Sequence, residues 1–110
     1  MEMNEILGRI QACFQNDKVR YTGHARKEMI NEVSGRIYEH EVMESILTGE
    51  VIRAYPEDRP YPSFLIFGMT KMNRPLHSVC AHAPEDDMAI VITAYEPDPE
   101  KWVNYKERRK

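Results

Sequence analysis

Residue types and runs that mark secreted or membrane proteins are scarce in this chain. Its 110 residues include two cysteines, Cys13 and Cys80, which are too few for a disulfide scaffold and predict reduced thiols. The longest uncharged apolar stretch, residues 88–95, is far shorter than the roughly 20 residues that span a bilayer. The acidic first residues, 1–5, lack the pattern of a secretion signal. We therefore expect a cytoplasmic protein with no membrane partner.

A large excess of positive charge is also missing. Lysine and arginine number 15 against 18 aspartates and glutamates, so the net charge is −3 with histidine neutral. A protein held on nucleic acid by charge alone is expected to be strongly basic, and this class is excluded. Residues 18–27 are a local exception, since they contain four cations and no acid. This segment allows a basic patch on an otherwise acidic protein.

The first half of the chain has the periodicity of helices. No repeat, low-complexity run or flexible linker divides residues 1–110, so a single α+β domain is predicted. Asn4 is predicted to cap the first helix, and Val33 belongs to the apolar stripe of the second. The three predicted helices cover residues 4–15, 23–33 and 39–48.

The second half changes to short runs rich in β-branched and aromatic residues, joined by turn-like connections. The four predicted strands are residues 50–55, 63–69, 76–82 and 88–95. Short connections favour antiparallel neighbours, so we expect the helices to pack on one face of a mainly antiparallel four-stranded sheet. Residues 19–21 form a further extended piece, and a last short helix is predicted from Pro99 through Trp102 and Tyr105.

His24 is the first residue whose chemistry suggests a role. On a helix, His24, Lys27 and Glu28 lie on the face opposite the apolar stripe. An imidazole can exchange protons at neutral pH, and a nearby ammonium can hold an anion. The alternative is an ordinary solvated helix face on which Glu28 pairs with Lys27 or Arg26.

A proline-rich loop holds the second candidate. Three prolines fix much of the backbone of residues 55–63, so Arg59 is presented on a stiff loop with Tyr55 and Tyr61 nearby. A guanidinium beside aromatic rings suits the phosphates and stacked bases of single-stranded RNA. The alternative is a rigid hairpin connection in which Asp58 pairs with Arg59.

His77, Cys80 and His82 raise the question of a metal site. Alternate residues of a strand point to opposite sides, so Cys80 and His82 share a face and His77 does not. No second pair of cysteines or histidines completes a tetrahedral set. We therefore expect no metal site, no cofactor and folding without metal. Cys80 is expected in the core, and His77 is expected to be available as a second acid–base group.

Two hydroxyls on the last predicted strand are the remaining candidates. Thr93 and Tyr95 face the same way, and such a pair could contact a phosphate. The alternative, which we favour unless His77 is adjacent, is that they are ordinary strand-forming residues at a sheet end. The chain has no glycine-rich phosphate loop, no Gly-x-Ser-x-Gly motif and no carboxylate pair at catalytic spacing.

Several of these segments together resemble one family of proteins. The segments are Tyr21-Thr22-x-His24-Ala25-x-x-x-Met29, Gly49-Glu50-Val51-Ile52, residues 55–63, Arg74-Pro75-Leu76-His77 and Ile92-Thr93-Ala94-Tyr95-x-Pro97-Asp98-x-x-x-Trp102. They resemble the domain of unknown function family DUF4258 over about residues 19–102. That family looks like a bacterial branch of the RelE/barnase-like toxin fold, often encoded beside a zinc-finger antitoxin related to the MqsA type.

The resemblance implies a toxin of a type II toxin–antitoxin pair that cleaves RNA without a metal, by attack of the 2′-hydroxyl. Its implied partners are RNA and a zinc-finger antitoxin of MqsA-related type, with no DNA. Such cleavage needs a base, an acid and a cation near one phosphate. The residues assigned to catalysis are His24, Lys27, His77 and Tyr95. The residues assigned to RNA binding are Arg26, Arg59, Tyr61 and Thr93.

Two classes of function remain at this point. In the first, His24, Arg59 and either His77 or Tyr95 converge on one concave surface and form a nuclease site. In the second, the chain is a non-catalytic protein-binding module of the same fold, and its histidines are structural. A histidine buried with both ring nitrogens bonded to backbone would favour the second class. A neighbouring gene for a small zinc-finger protein would favour the first.

Overall fold

The α+β class expected from the sequence is confirmed. A computed structural model describes residues 2–110, which contain three helices, one five-stranded sheet and one two-stranded sheet. The helices are α1 (Met3–Gln15), α2 (Gly23–Ile30) and α3 (Glu39–Leu47). The strands are β1 (Val19–Tyr21), β2 (Glu50–Tyr55), β3 (Ser63–Met69), β4 (Pro75–Ala83), β5 (Met88–Tyr95), β6 (Trp102–Val103) and β7 (Glu107–Arg108). Within residues 2–110, no helix is both long and apolar enough to cross a membrane.

The large sheet has one more strand than predicted. Its order is β1-β5-β4-β3-β2, and the four strands β2 to β5 pair antiparallel as expected. The fifth strand, β1, pairs parallel with β5, with Val19 opposite Ala89. Its three residues were too few to be assigned to a sheet from their pattern. The pairing continues at both ends, where the Ala89 amide donates to the Lys18 carbonyl and the Thr22 amide to the Val91 carbonyl, each at 3.0 Å.

The three helices pack on one face of the sheet, as predicted. Their apolar sides and the sheet residues beneath them form a single buried cluster. Cys80 belongs to this cluster and is fully buried, which confirms its place in the core. The other members from the sheet include Ile66, Leu76, Ala89, Val91 and Ala94, and those from the helices include Ile10, Phe14, Ala25, Val42 and Ile46.

Two predicted details of the helices are wrong. The N-cap of α1 is Glu2 and not Asn4, which already lies inside the helix. Helix α2 ends at Ile30, so Val33 is fully exposed and packs on no apolar stripe. The chain leaves the helix early because Glu32 turns back to the sheet, where its carboxylate accepts a hydrogen bond of 2.8 Å from the Glu96 amide.

The predicted last helix is also wrong, because residues 102–108 form the hairpin of β6 and β7. Asn104 and Tyr105 both have positive φ, and the Lys106 amide donates to the Val103 carbonyl at 3.0 Å. Positive φ at both central residues is typical of tight hairpin turns. The turn brings the Trp102 ring down onto the sheet, where it is buried. The apolar packing of this ring outweighs the local preference for a helix.

We predict that Gly68→Ala severely destabilises the fold, because α3 crosses β3 at this residue. A Cβ atom at Gly68 would lie 1.8 Å from the Ser45 carbonyl oxygen, which is backbone and cannot rotate away. The expected loss in the free energy of unfolding is about 3 kcal/mol or more, measured by urea unfolding. The control is Gly8→Ala, where a Cβ meets nothing within 4 Å. This exposed position in α1 should gain about 0.5–1 kcal/mol. A Gly68→Ala midpoint equal to that of the wild type would contradict the close crossing.

Candidate active site on the open sheet face

The sheet face opposite the helices, which we call the open face, carries most of the residues with useful chemistry. Residues directly opposite one another on paired strands point to the same side of a sheet. The strand register therefore arranges the side chains of the open face in three rows. The rows are Glu50-Phe67-His77-Tyr95, Arg53-Leu65-Val79-Thr93 and Tyr55-Ser63-Ala81-Ile90-Arg20.

Two segments cover the ends of the open face. The β6–β7 hairpin lies over the first row, where Lys106 Nζ is 2.7 Å from the Glu50 carboxylate. The proline-rich loop, residues 56–62, lies over the third row, where Arg59 and Tyr61 line a groove together with Ala81 and Ile90. The second row remains between these two covers. In this row Arg53 is exposed and Val79 and Thr93 are half-buried, and we call the strip between the two covers the channel.

His77 and Tyr95 form the central polar pair of this face. His77 is fully buried, and its Nδ1 lies 3.0 Å from the Tyr95 hydroxyl. Its Nε2 lies 2.6 Å from the Tyr105 carbonyl oxygen. A carbonyl oxygen only accepts, so Nε2 carries the proton, and Nδ1 accepts from the Tyr95 hydroxyl. The Trp102 ring packs edge-to-face against the His77 imidazole, and the two ring centroids are 4.5 Å apart.

Burial sets the protonation of both groups. It lowers the pKa of His77 below its ordinary value of 6.5, against the opposite effect of the hydrogen bond to the Tyr105 carbonyl. Burial also raises the pKa of Tyr95 to about 12, although the positive charges of Arg108 and Arg53 act to lower it. At neutral pH the pair is therefore an uncharged imidazole and an uncharged phenol.

The predicted residues His77, Tyr95 and Thr93 are brought together on the open face. Tyr95 lies directly opposite His77, and Thr93 is in the neighbouring row. His77 is thus adjacent to Thr93 and Tyr95. This adjacency was the condition for preferring a role of the two hydroxyls in phosphate contact. His77 itself is not available to a substrate, because the hairpin buries it and both ring nitrogens are bonded.

His24 and Lys27 lie at the edge of the sheet beside β5. The exposed His24 imidazole has its Nε2 4.0 Å from one carboxylate oxygen of Glu28. The other oxygen of Glu28 accepts a hydrogen bond of 2.9 Å from the Ala94 amide. Glu28 is therefore bonded to the sheet and not to Lys27 or Arg26. It links His24 to β5 one residue before Tyr95.

Arg26 and Arg59 have different surroundings. Arg26 donates to the Glu39 carboxylate at 2.8 Å and lies over the Tyr21 ring, on the helix side of the sheet. It is therefore not brought to the open face. Arg59 forms no ion pair with any residue in the range 2–110, because Asp58 accepts instead from the Ser63 hydroxyl at 2.5 Å. The Arg59 guanidinium is free to bind an anion.

The sequence did not indicate that Arg53 and Arg108 belong to this site, or that the β6–β7 hairpin covers His77. Arg53 belongs to the open face because a bulge between Val51 and Arg53 shifts the register of β2. Arg108 lies on the hairpin, with its guanidinium 5.5 Å from the centre of the Trp102 ring. Asn104 was a usable signal, since asparagine tolerates the positive φ of a tight turn. The bulge left no such signal.

Comparison with known protein families finds a match. The family described as domain of unknown function DUF4258 matches residues 21–96, which is more than half of the chain. The chain belongs to this family. The matched region includes α2, the proline-rich loop and the His77–Tyr95 pair, and it excludes α1 and the C-terminal hairpin. Comparison with curated proteins and with solved structures finds no match.

The lowered pKa of His77 predicts a loss of stability on acidification. Below about pH 6.5 the unfolded chain binds a proton at His77 that the folded chain resists, so the free energy of unfolding falls as the pH falls. The slope due to this group is at most about 1.4 kcal/mol per pH unit. His77→Gln should remove this part of the slope between about pH 7.5 and pH 5. The matched control is His40→Gln on the exposed start of α3, which should keep the wild-type slope. An unchanged slope in His77→Gln would contradict the assignment.

Proposed function

We propose that this protein is a metal-independent endoribonuclease that cleaves RNA on the open face. The observation that carries the proposal is the His77–Tyr95 hydrogen bond, flanked by the charges of Arg53 and Arg108. In the proposed reaction the 2′-hydroxyl oxygen attacks the adjacent phosphorus. The O2′–P bond forms, the P–O5′ bond breaks, and the products are a cyclic phosphate and a 5′-hydroxyl.

Tyr95 supports the removal of the 2′-hydroxyl proton. Its own proton points to His77 Nδ1, so the phenolic oxygen can still accept a proton from the substrate. Tyr95 accepts the substrate proton while it passes its own to His77. The positive charge then on the imidazole is stabilised by the Tyr105 carbonyl at Nε2. His77 is thus the proton acceptor although it never touches the substrate.

The leaving 5′-oxygen needs a proton donor, which we assign to His24. Its imidazole is exposed and is connected to β5 through Glu28, one residue from Tyr95. Lys27, which is also exposed on α2, adds positive charge at the same edge.

The open face supplies the charge needed to hold RNA, although the whole chain is acidic. Arginines at four positions belong to the face or to the segments over it. Glu50, the acid in its rows, is paired with Lys106, and the covering segments carry Glu57, Asp58 and Glu107. The Thr93 hydroxyl lies among them, and the Tyr61 ring borders the groove beside Arg59. The four arginines are Arg20, Arg53, Arg59 and Arg108. Binding through so few phosphate contacts would be modest and salt-dependent.

The biological setting that we propose is a type II toxin–antitoxin pair. This part of the proposal, like the RelE/barnase-like fold, rests on the family resemblance. The partner would be a zinc-finger antitoxin of MqsA-related type that covers the open face. Blocking the channel between the hairpin and the proline-rich loop would prevent RNA from reaching Tyr95.

A second candidate function is a non-catalytic protein-binding module. The observation that favours it is the burial of His77, whose ring nitrogens are both bonded inside the protein. A histidine with both ring nitrogens bonded to backbone was expected to favour this function. In His77 one nitrogen is bonded to backbone and the other to the Tyr95 hydroxyl. In this function the pair would serve only to hold the hairpin on the sheet.

Tyr95→Phe separates the two functions, because it removes the phenolic oxygen and keeps the ring. We expect the cleavage rate on mixed RNA to fall roughly 10²- to 10⁴-fold, with a similar loss for His24→Ala. The assay contains a chelator, which should leave the wild-type rate unchanged. The matched control is Tyr38→Phe, an exposed tyrosine at the start of α3, which should cleave like the wild type. Wild-type cleavage by Tyr95→Phe would overturn the nuclease site and leave the binding module as the better function.

Arg59→Ala tests the binding of the RNA backbone. The free guanidinium contacts phosphate in the proposed complex, so its loss should weaken RNA binding and reduce the salt slope by about one. The control is Arg36→Ala, an exposed arginine that lies over the Tyr38 ring before α3. Affinity is measured by fluorescence anisotropy at several salt concentrations. Equal salt slopes for both variants would place the RNA elsewhere on the protein.

A further inference from the structure

A second cluster of reactive side chains lies on the helix side of the sheet, where α1 meets the β4–β5 turn. The Cys13 thiol donates to the Asp87 backbone carbonyl at 3.3 Å, and Sγ is 3.7 Å from Asp87 Oδ1. His82 Nε2 is 2.8 Å from the same oxygen. The three potential ligand atoms all lie within 4.8 Å of one another. Cys13 and His82 are buried, whereas Asp87 is exposed.

We propose that Cys13, His82 and Asp87 bind a zinc ion, with a fourth position open to water or to an outside ligand. Tetrahedral zinc with sulfur, nitrogen and oxygen ligands holds these atoms about 3.3 to 3.6 Å apart. The sulfur–oxygen distance is already close to this range. The nitrogen–oxygen distance must open by about half an ångström, which an exposed aspartate on a turn can allow. Thiolate and imidazole ligands favour zinc over magnesium or calcium.

Binding exchanges one proton for the metal. Without metal, the Cys13 thiol and His82 Nε2–H both donate to Asp87, since carbonyl and carboxylate oxygens only accept. Zinc takes the Cys13 thiolate and His82 Nε2. The thiol proton leaves to water, and the imidazole proton moves from Nε2 to Nδ1 by exchange with water. The affinity should therefore rise about tenfold per pH unit while the thiol is protonated.

Lys18 is the cation that competes with the metal. Its Nζ is 3.9 Å from Asp87 Oδ2, and its side chain is partly exposed, so it can move away. A bound divalent ion would be repelled by this ammonium. Removing the charge of Lys18 should therefore tighten zinc binding, which is the opposite effect from removing a ligand.

The site is distinct from the proposed nuclease site. His82 is five residues beyond His77 on β4, a separation of about 17 Å along an extended strand. The ion would join α1, which precedes the family match, to the sheet. The strand positions of His77, Cys80 and His82 do not indicate this site, because Cys13 comes near His82 only through the packing of α1.

The experiment titrates the metal-stripped full chain with Zn²⁺ and, for its spectrum, with Co²⁺. We expect one ion per chain, a thiolate-to-cobalt absorption band and a rise in Tm with zinc. Cys13→Ser should remove the thiolate band, and Asp87→Asn should weaken binding at least tenfold. Lys18→Met should tighten binding several-fold. Asp86→Asn, on the same turn, is the matched control and should bind like the wild type.

A cobalt spectrum without a thiolate band, or wild-type binding by Asp87→Asn, would overturn the site. Asp87 is exposed, so this variant is informative even if Cys13→Ser fails to fold. The result is independent of the proposed nuclease, because RNA cleavage in the presence of chelator tests that function separately. Zinc binding with no cleavage would leave this inference standing and the proposed function overturned.

Discussion

The hydrogen bond from His77 Nε2 to the Tyr105 carbonyl oxygen, 2.6 Å long, sets the chemistry of the open face. It fixes the proton on Nε2 and leaves Nδ1 as an acceptor, which in turn orients the Tyr95 hydroxyl. It also holds the hairpin over the imidazole, and the resulting burial keeps the ring neutral. One backbone carbonyl thus determines the tautomer, the charge and the accessibility of the central histidine.

The rows of the open face depend on irregularities in the strands. Each bulge adds a residue to one strand. Without that residue, the following side chains would point to the other side of the sheet. The bulge in β2 keeps Arg53 on the face of Glu50, and the irregularity beside Val79 keeps Thr93 on the face of Ile90. Polar side chains from different parts of the chain therefore meet above one surface, while the apolar core remains continuous beneath the helices.

Periodicity predicted the parts of this protein that are determined locally. The helical stripes of α1, α2 and α3 and the four strands β2 to β5 could be located because burial repeats at fixed spacing. The shared face of Thr93 and Tyr95 follows from the same alternation. Asn104 indicated a turn, but the position of the hairpin over His77 could not be predicted, since the Trp102 ring packs on a histidine far away in sequence. The same limit applies to Arg53, whose side depends on a bulge, and to Cys13, whose neighbours come from another element.

The hydrogen bonds of Glu28 and Glu32 affect whether two copies of this protein can pair through the edge of the large sheet. Strand β1 ends at Tyr21, so the last part of β5 would present unpaired amides along the sheet edge. The two carboxylates accept hydrogen bonds from the amides of Ala94 in β5 and of Glu96 directly after it, in place of a neighbouring strand. An edge whose donors are already occupied by acidic side chains is a poor template for another strand. These glutamates therefore protect β5 from intermolecular strand pairing and from the aggregation that such pairing causes.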